Sequence, residues 1–82
     1  MGFNKLSVLI VETNDSLRSQ LFDYFSKQGC HPVHMASSFA EARKLIYKKP
    51  QLDLILFDIE ITHASGQIED GLDFLDEIKR SK

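Results

Sequence analysis

Short apolar runs alternate along the chain with longer amphipathic stretches. The run Leu6 to Val11 (LSVLIV) is apolar and rich in β-branched residues, and predicts a first strand. Leu17, Leu21, Tyr24 and Phe25 then recur at helical spacing, predicting a helix from a cap at Asn14 or Asp15 to about Gln28. Gly29 terminates it. His31 to Ala36 predicts a second, weaker strand, and Pro32, which has no backbone donor, favours a sheet edge. Ser38-Phe39-Ala40-Glu41 has the spacing of a capping box and opens a helix through about Lys48. Ala42, Leu45 and Ile46 supply its apolar stripe, Lys44, Lys48 and Lys49 suit its carboxyl end, and Pro50 closes it. The next run, Leu52 to Phe57, predicts a third strand. Its core, Leu54 to Phe57, is apolar on both faces, the mark of a parallel strand covered by helices on both sides. A polar loop is expected from Thr62 to Asp70, followed by a helix from about Gly71 with Leu72, Leu75 and Ile78 inward and Phe74 beside them.

Three strand–helix pairs in this order imply an α/β domain whose parallel strands are joined by right-handed crossovers. With the Pro-bearing strand at an edge, the expected order is second–first–third. The first and third strands are then neighbours, and their carboxyl ends carry Glu12 and Asp58. Crossovers leave in opposite directions at that crevice, which is where open α/β sheets take their ligands. An acid at the Asp58 position is therefore a ligand, a nucleophile or a helix-capping group.

Composition narrows the function classes. The chain has 82 residues, enough for one small domain, with 43% apolar and 27% charged residues. A net charge of −2 gives no footprint for nucleic acid or an anionic membrane. Cys30 is the only cysteine, so there is no disulfide framework, and an inert thiol is expected there. No run approaches membrane-spanning length, and the amino terminus lacks the features of a signal peptide, so the expected compartment is the cytoplasm. Between Lys49 and Lys79 there is no Lys or Arg, yet eight of the twelve acids fall there. Asp58, Glu60, Glu69, Asp70, Asp73, Asp76 and Glu77 form either a solvated helix face with a favourable first turn or an acidic rim for a divalent cation. Other chemistries find no support. His31 and His34 point to opposite faces of a strand, and no Gly-rich phosphate loop follows the first strand. Ser65-Gly66 lacks the glycines of a nucleophile elbow, and Phe22, Phe25, Phe39 and Phe74 sit at core spacing.

Glu12 and Asp58 at one crevice suit a hard cation such as Mg²⁺, and a carboxylate beside it can attack a phosphoryl group to form an acyl phosphate. The segments VLIVETNDSLRSQLFDYFSKQGC, HPVHMASSFAEARKLI, LDLILFDIEI and DGLDFLDEIK also resemble, in order and spacing, the receiver domain of two-component response regulators. The resemblance implies a flavodoxin-like doubly wound fold with Asp58 as phosphoacceptor. It further implies Mg²⁺ held by Glu12, Asp58 and the backbone carbonyl of Glu60, with Thr13 at a matched but weak ligand position. The implied partner is a histidine kinase or phosphotransfer protein, and the implied role is signalling, not enzymatic turnover.

Departures from the family pattern carry their own expectations. Thr13 replaces the second of two adjacent acids, so Mg²⁺ affinity should fall, although Asp15 could compensate if it does not cap the helix. Thr62 stands where a Pro is common, and the Thr62 to Asp70 segment is longer than in the family. Within it His63, Ser65 and Gly66 form a lid or a tolerated surface insertion. The chain covers the first three strand–helix units, so a complete domain is expected to continue beyond residue 82, where the hydroxyl and Lys that sense the phosphoryl group would lie. As it stands, the third strand is expected to be a long apolar edge and the first helix to leave apolar surface open. The piece is then expected to self-associate rather than remain a monomer. Two roles follow: phosphoacceptor module, or degenerate receiver that acts by protein–protein association.

Overall fold

The computed structural model describes residues 6–48, 51–63 and 65–80. β1 (Val8–Val11) is the centre of a parallel sheet, flanked by β2 (Val33–Ala36) and β3 (Leu54–Phe57) in the order β2-β1-β3. Val8 lies opposite Val33 and Leu54, and Val11 opposite Ala36 and Phe57. All four β1 residues are buried, as a strand covered on both faces requires. The second–first–third order expected from Pro32 is the order found, and β2 is an edge.

Alternate residues of β1 feed two cores. Leu9 and Val11 pack with Phe39 and Ala42 of α2 (Phe39–Lys48) and with Phe74 of α3 (Gly71–Arg80). Val8 and Ile10 pack on the other side with Phe25 of α1 (Asp15–Lys27) and with Cys30, which is a buried free thiol. Helices on opposite faces of one parallel sheet make the doubly wound α/β arrangement expected from the sequence.

Local chemistry sets the helix starts. Asn14, not Asp15, caps α1: its side chain accepts from the Leu17 N–H at 2.9 Å. Asp15 instead pairs with Arg18 one turn on. Ser38 accepts from the Glu41 N–H at 3.1 Å, as a capping box predicts. The reciprocal arm reaches one residue further back than expected, with Glu41 accepting from the N–H and hydroxyl of Ser37 at 2.8 and 2.9 Å. These bonds, the backbone one foremost, hold the Glu41 carboxyl below the usual carboxylate range. Lys49 and Pro50, expected to close α2, lie outside the described residues, as does the chain before Leu6.

Two expectations are corrected. The polar loop after the third strand contains a hairpin, β4 (Glu60–Thr62) paired antiparallel with β5 (Ile68–Asp70). Its strands are three residues each, half of them charged, and only Ile61 reaches the core, so no apolar alternation announces them. The inward face of α3 is also rotated. Phe74 is 1% exposed while Leu72 and Leu75 are 57% and 37% exposed. Gly71 must lie against the backbone after Asp58, and Phe74 and Ile78, one and two turns on, share its face. Phe74 stacks on Phe39 (4.7 Å between centroids) and meets Phe57 edge-on at 5.1 Å.

Candidate functional site

Parallel pairing ends at Val11 and Phe57, so Glu12 and Asp58 are the next residues at the same end of adjacent strands. Both line one cleft of about 180 Å³, with Val11, Leu17, Leu21, Leu56 and Phe57 as its apolar walls. The crevice expected from the strand order thus exists and holds the two expected acids.

Glu12 is held at three points. Its N–H donates to the Ala36 carbonyl at 3.0 Å, and its own carbonyl accepts from Arg18 Nη1 at 2.7 Å. One carboxylate oxygen accepts from the Asn14 N–H at 3.1 Å. Asp58 differs: it is exposed, and among the described residues no group hydrogen-bonds its carboxylate. Its position is therefore set by its backbone. Thr13 follows Glu12, half-buried, and neither Thr13 nor Glu60 is among the described residues that line the cleft. No three acids, histidines or cysteines among the described residues gather into a metal-holding group, so any cation here relies on carbonyls, phosphate oxygens or water beyond the two acids.

The register of the hairpin bears on Glu60. The Gly71 N–H donates to the Ile59 carbonyl, and the His63 N–H donates to the Gln67 carbonyl at 2.8 Å. Bonded and non-bonded pairs alternate in an antiparallel ladder, so Glu60 opposite Asp70 is a non-bonded pair between them. The Glu60 carbonyl is consequently not used by β5. The hairpin closes with the Gly66 N–H donating to the His63 carbonyl at 2.9 Å, with Gly66 at φ +90°, the left-handed position of a bulged three-residue turn. His63 and Glu69 pair across it, which occupies a histidine expected either in a lid or in an inert insertion.

Most of the acidic segment has local employment. Glu69 pairs with His63, Asp76 with Arg80 at 2.8 Å, and Glu77 with Arg43 at 2.7 Å. The Arg43 guanidinium grips Glu77 through both Nε and Nη2 and holds its carboxyl below the usual range. Asp70 accepts from the Leu72 N–H at 2.8 Å and so caps α3. For these four acids, helix and hairpin structure explains the charge better than a cation rim.

Sequence reasoning passed over Asn14 and Arg18 as supports of Glu12, and Gly71 as a neighbour of Asp58. The legible signal was Arg18, three residues past the start of a helix that opens beside the crevice. The family model for the response regulator receiver domain matches residues 8–82. No curated protein and no solved structure matches the chain significantly.

Proposed function

We propose that this chain, which belongs to the response regulator receiver domain family and is a two-component signalling module, takes a phosphoryl group onto Asp58 from a histidine kinase or phosphotransfer protein. The observation that carries this reading is the placement of Glu12 and Asp58, consecutive with the last paired residues of β1 and β3, at the mouth of one cleft. An Asp58 oxygen attacks phosphorus in line, the bond from phosphorus to the donor's imidazole nitrogen breaks, and the product is an acyl phosphate. Asp58 is exposed, so a donor reaches it without displacing protein groups.

Mg²⁺ suits this donor set, because it binds through one or two carboxylates, keeps several waters and accepts substrate phosphate oxygens. Glu12, Asp58 and the Glu60 carbonyl would hold it. Bound there, it neutralises charge on the transferring phosphoryl oxygens. Arg18 and Asn14 hold Glu12 in place for that task. Thr13 offers a neutral hydroxyl where a second carboxylate would strengthen the site, so Mg²⁺ binding is weak.

Thr13 also favours a second reading, a degenerate receiver whose role is association with protein partners independently of phosphate. Exposure of the intact protein to Mg²⁺ and a small acyl-phosphate donor separates the two. A phosphoryl adduct seen by mass spectrometry and abolished in Asp58→Asn supports the acceptor. Absence of an adduct together with absence of Mg²⁺ binding would overturn it in favour of the association module. No described helix is long and apolar enough to cross a membrane.

A further inference from the structure

Among the described residues the carboxylate of Asp58 has no side-chain tether, so the peptide that carries it decides where it points. On its amino side that peptide is fixed by the pairing of Phe57 with Val11. On its carboxyl side it is fixed by Gly71. The Gly71 N–H donates to the Ile59 carbonyl, and Gly71 is buried against this turn. A Cβ at position 71 would stand 2.5 Å from the Asp58 carbonyl oxygen and 2.6 Å from that of Ile59. Both obstacles are backbone atoms, so no change of rotamer relieves them. Any side chain at 71 forces a shift of backbone, either of the Asp58–Ile59 turn or of the start of α3 packed against it.

The hairpin delivers Gly71 to this spot. The pair Ile59–Gly71 continues the ladder of Ile61–Glu69 and His63–Gln67 by one more rung. The same register leaves Glu60 in a non-bonded pair, with its carbonyl unused by β5. A polar segment that reads as a loose surface insertion is thus a splint whose two ends meet beside Asp58.

We infer that Gly71 is a positioning residue for the chemistry of Asp58, and that β4–β5 is the device that holds it against the acceptor peptide. This rests on the reading of Asp58 as phosphoacceptor. In-line attack requires reacting atoms at near-contact distance, and a misplacement of about 1 Å costs roughly a hundredfold in rate.

Gly71→Ala and Gly66→Ala provide the test. At Gly66 a Cβ meets nothing within 4 Å, although its φ of +90° strains any other residue. Gly66→Ala therefore reports what destabilisation of the hairpin does without intrusion on Asp58. Adduct formation from an acyl-phosphate donor with Mg²⁺ is followed by mass spectrometry, with melting temperatures alongside. The expected result is adduct formation slowed at least roughly tenfold in Gly71→Ala, and slowed less in Gly66→Ala, only as far as its hairpin loosens. A Gly71→Ala rate within about twofold of the parent, or equal slowing of both variants in step with their melting temperatures, overturns the inference. Should Gly71→Ala fail to fold, amide resonances of Ile59 and Gly71 in the parent are followed on phosphorylation. Shifts of both support the coupling, and unmoved resonances overturn it. If the parent itself forms no adduct, the acceptor reading fails first and the inference falls with it.

Discussion

Thr13 is the residue at which the proposed Mg²⁺ site would be weakest. It follows a well-anchored Glu12 and contributes no charge, whereas the affinity of oxygen sites for divalent cations depends on the number of charged ligands. Thr13→Asp should therefore tighten Mg²⁺ binding, on the order of tenfold, in a calorimetric titration. Unchanged affinity would mean that position 13 does not face the ion. Glu12 and Asp58 were legible in the sequence because each terminates an apolar run, a purely local signal. The roles of Asn14, Arg18 and Gly71 depend on distant backbone coming close, and no local pattern encodes that. Phe74 shows the same limit in the core. It stood beside the expected stripe of α3, yet it packs against Phe39 and Phe57 as the centre of that helix's buried face. Phe74→Ala should cost about 3–5 kcal/mol in denaturant unfolding, while Leu72→Ala, on the exposed side, should stay within about 0.5 kcal/mol. Similar losses for the two would return α3 to the orientation its leucines suggest.

At the scale of elements, the strands and helices that bury apolar stripes were readable and the hairpin was not. β1 and β3 are near-continuous apolar runs, and α2 carries its cap, stripe and terminal lysines in order. β4 and β5 present Glu60, Thr62, Ile68 and Asp70 on their outer face and place only Ile61 in the core. Their signals were β-branched residues around Ser65-Gly66, too short to stand against a loop. The Arg43–Glu77 bridge ties α2 to α3 and gives a pH dependence of known sign. Arg43 lowers the Glu77 carboxyl in the folded protein, so the bridge contributes fully above the unfolded carboxyl's value near 4.3 and is lost as pH falls through the lower folded one. Both partners are about half exposed, so solvent limits the contribution to about 0.2–1 kcal/mol. Urea unfolding should show Glu77→Gln less stable than the parent at pH 7, and the gap should close in strong acid. A gap that persists there would assign the loss to packing and not to charge.

For the whole molecule, the legible fact was strand order, and it came from one residue. Pro32 demoted its strand to an edge, which placed the two acids on neighbouring strands. The same order distributes apolar cover unequally. Two helices, α2 and α3, share the Leu9 and Val11 face, while among the described residues α1 is the one helix that packs on Val8 and Ile10. On the α1 side Leu17, Tyr24 and Leu56 remain 42%, 52% and 36% exposed. Among the described residues, β3 is bonded only to β1, so its other edge presents unpaired N–H and C=O groups beside this apolar surface. Exposed, apolar strand edges template pairing with another chain unless a charge blocks them. The chain of residues 1–82 should therefore associate as its concentration rises, with the mass from light scattering climbing above that of one copy. Leu56→Lys places a charge on the open side of β3 and should restore the monomer with little loss of stability, because Leu56 is already partly in water. Association that survives Leu56→Lys would move the interface away from β3. A monomer at every concentration would show that α1 alone is sufficient cover for its face of the sheet.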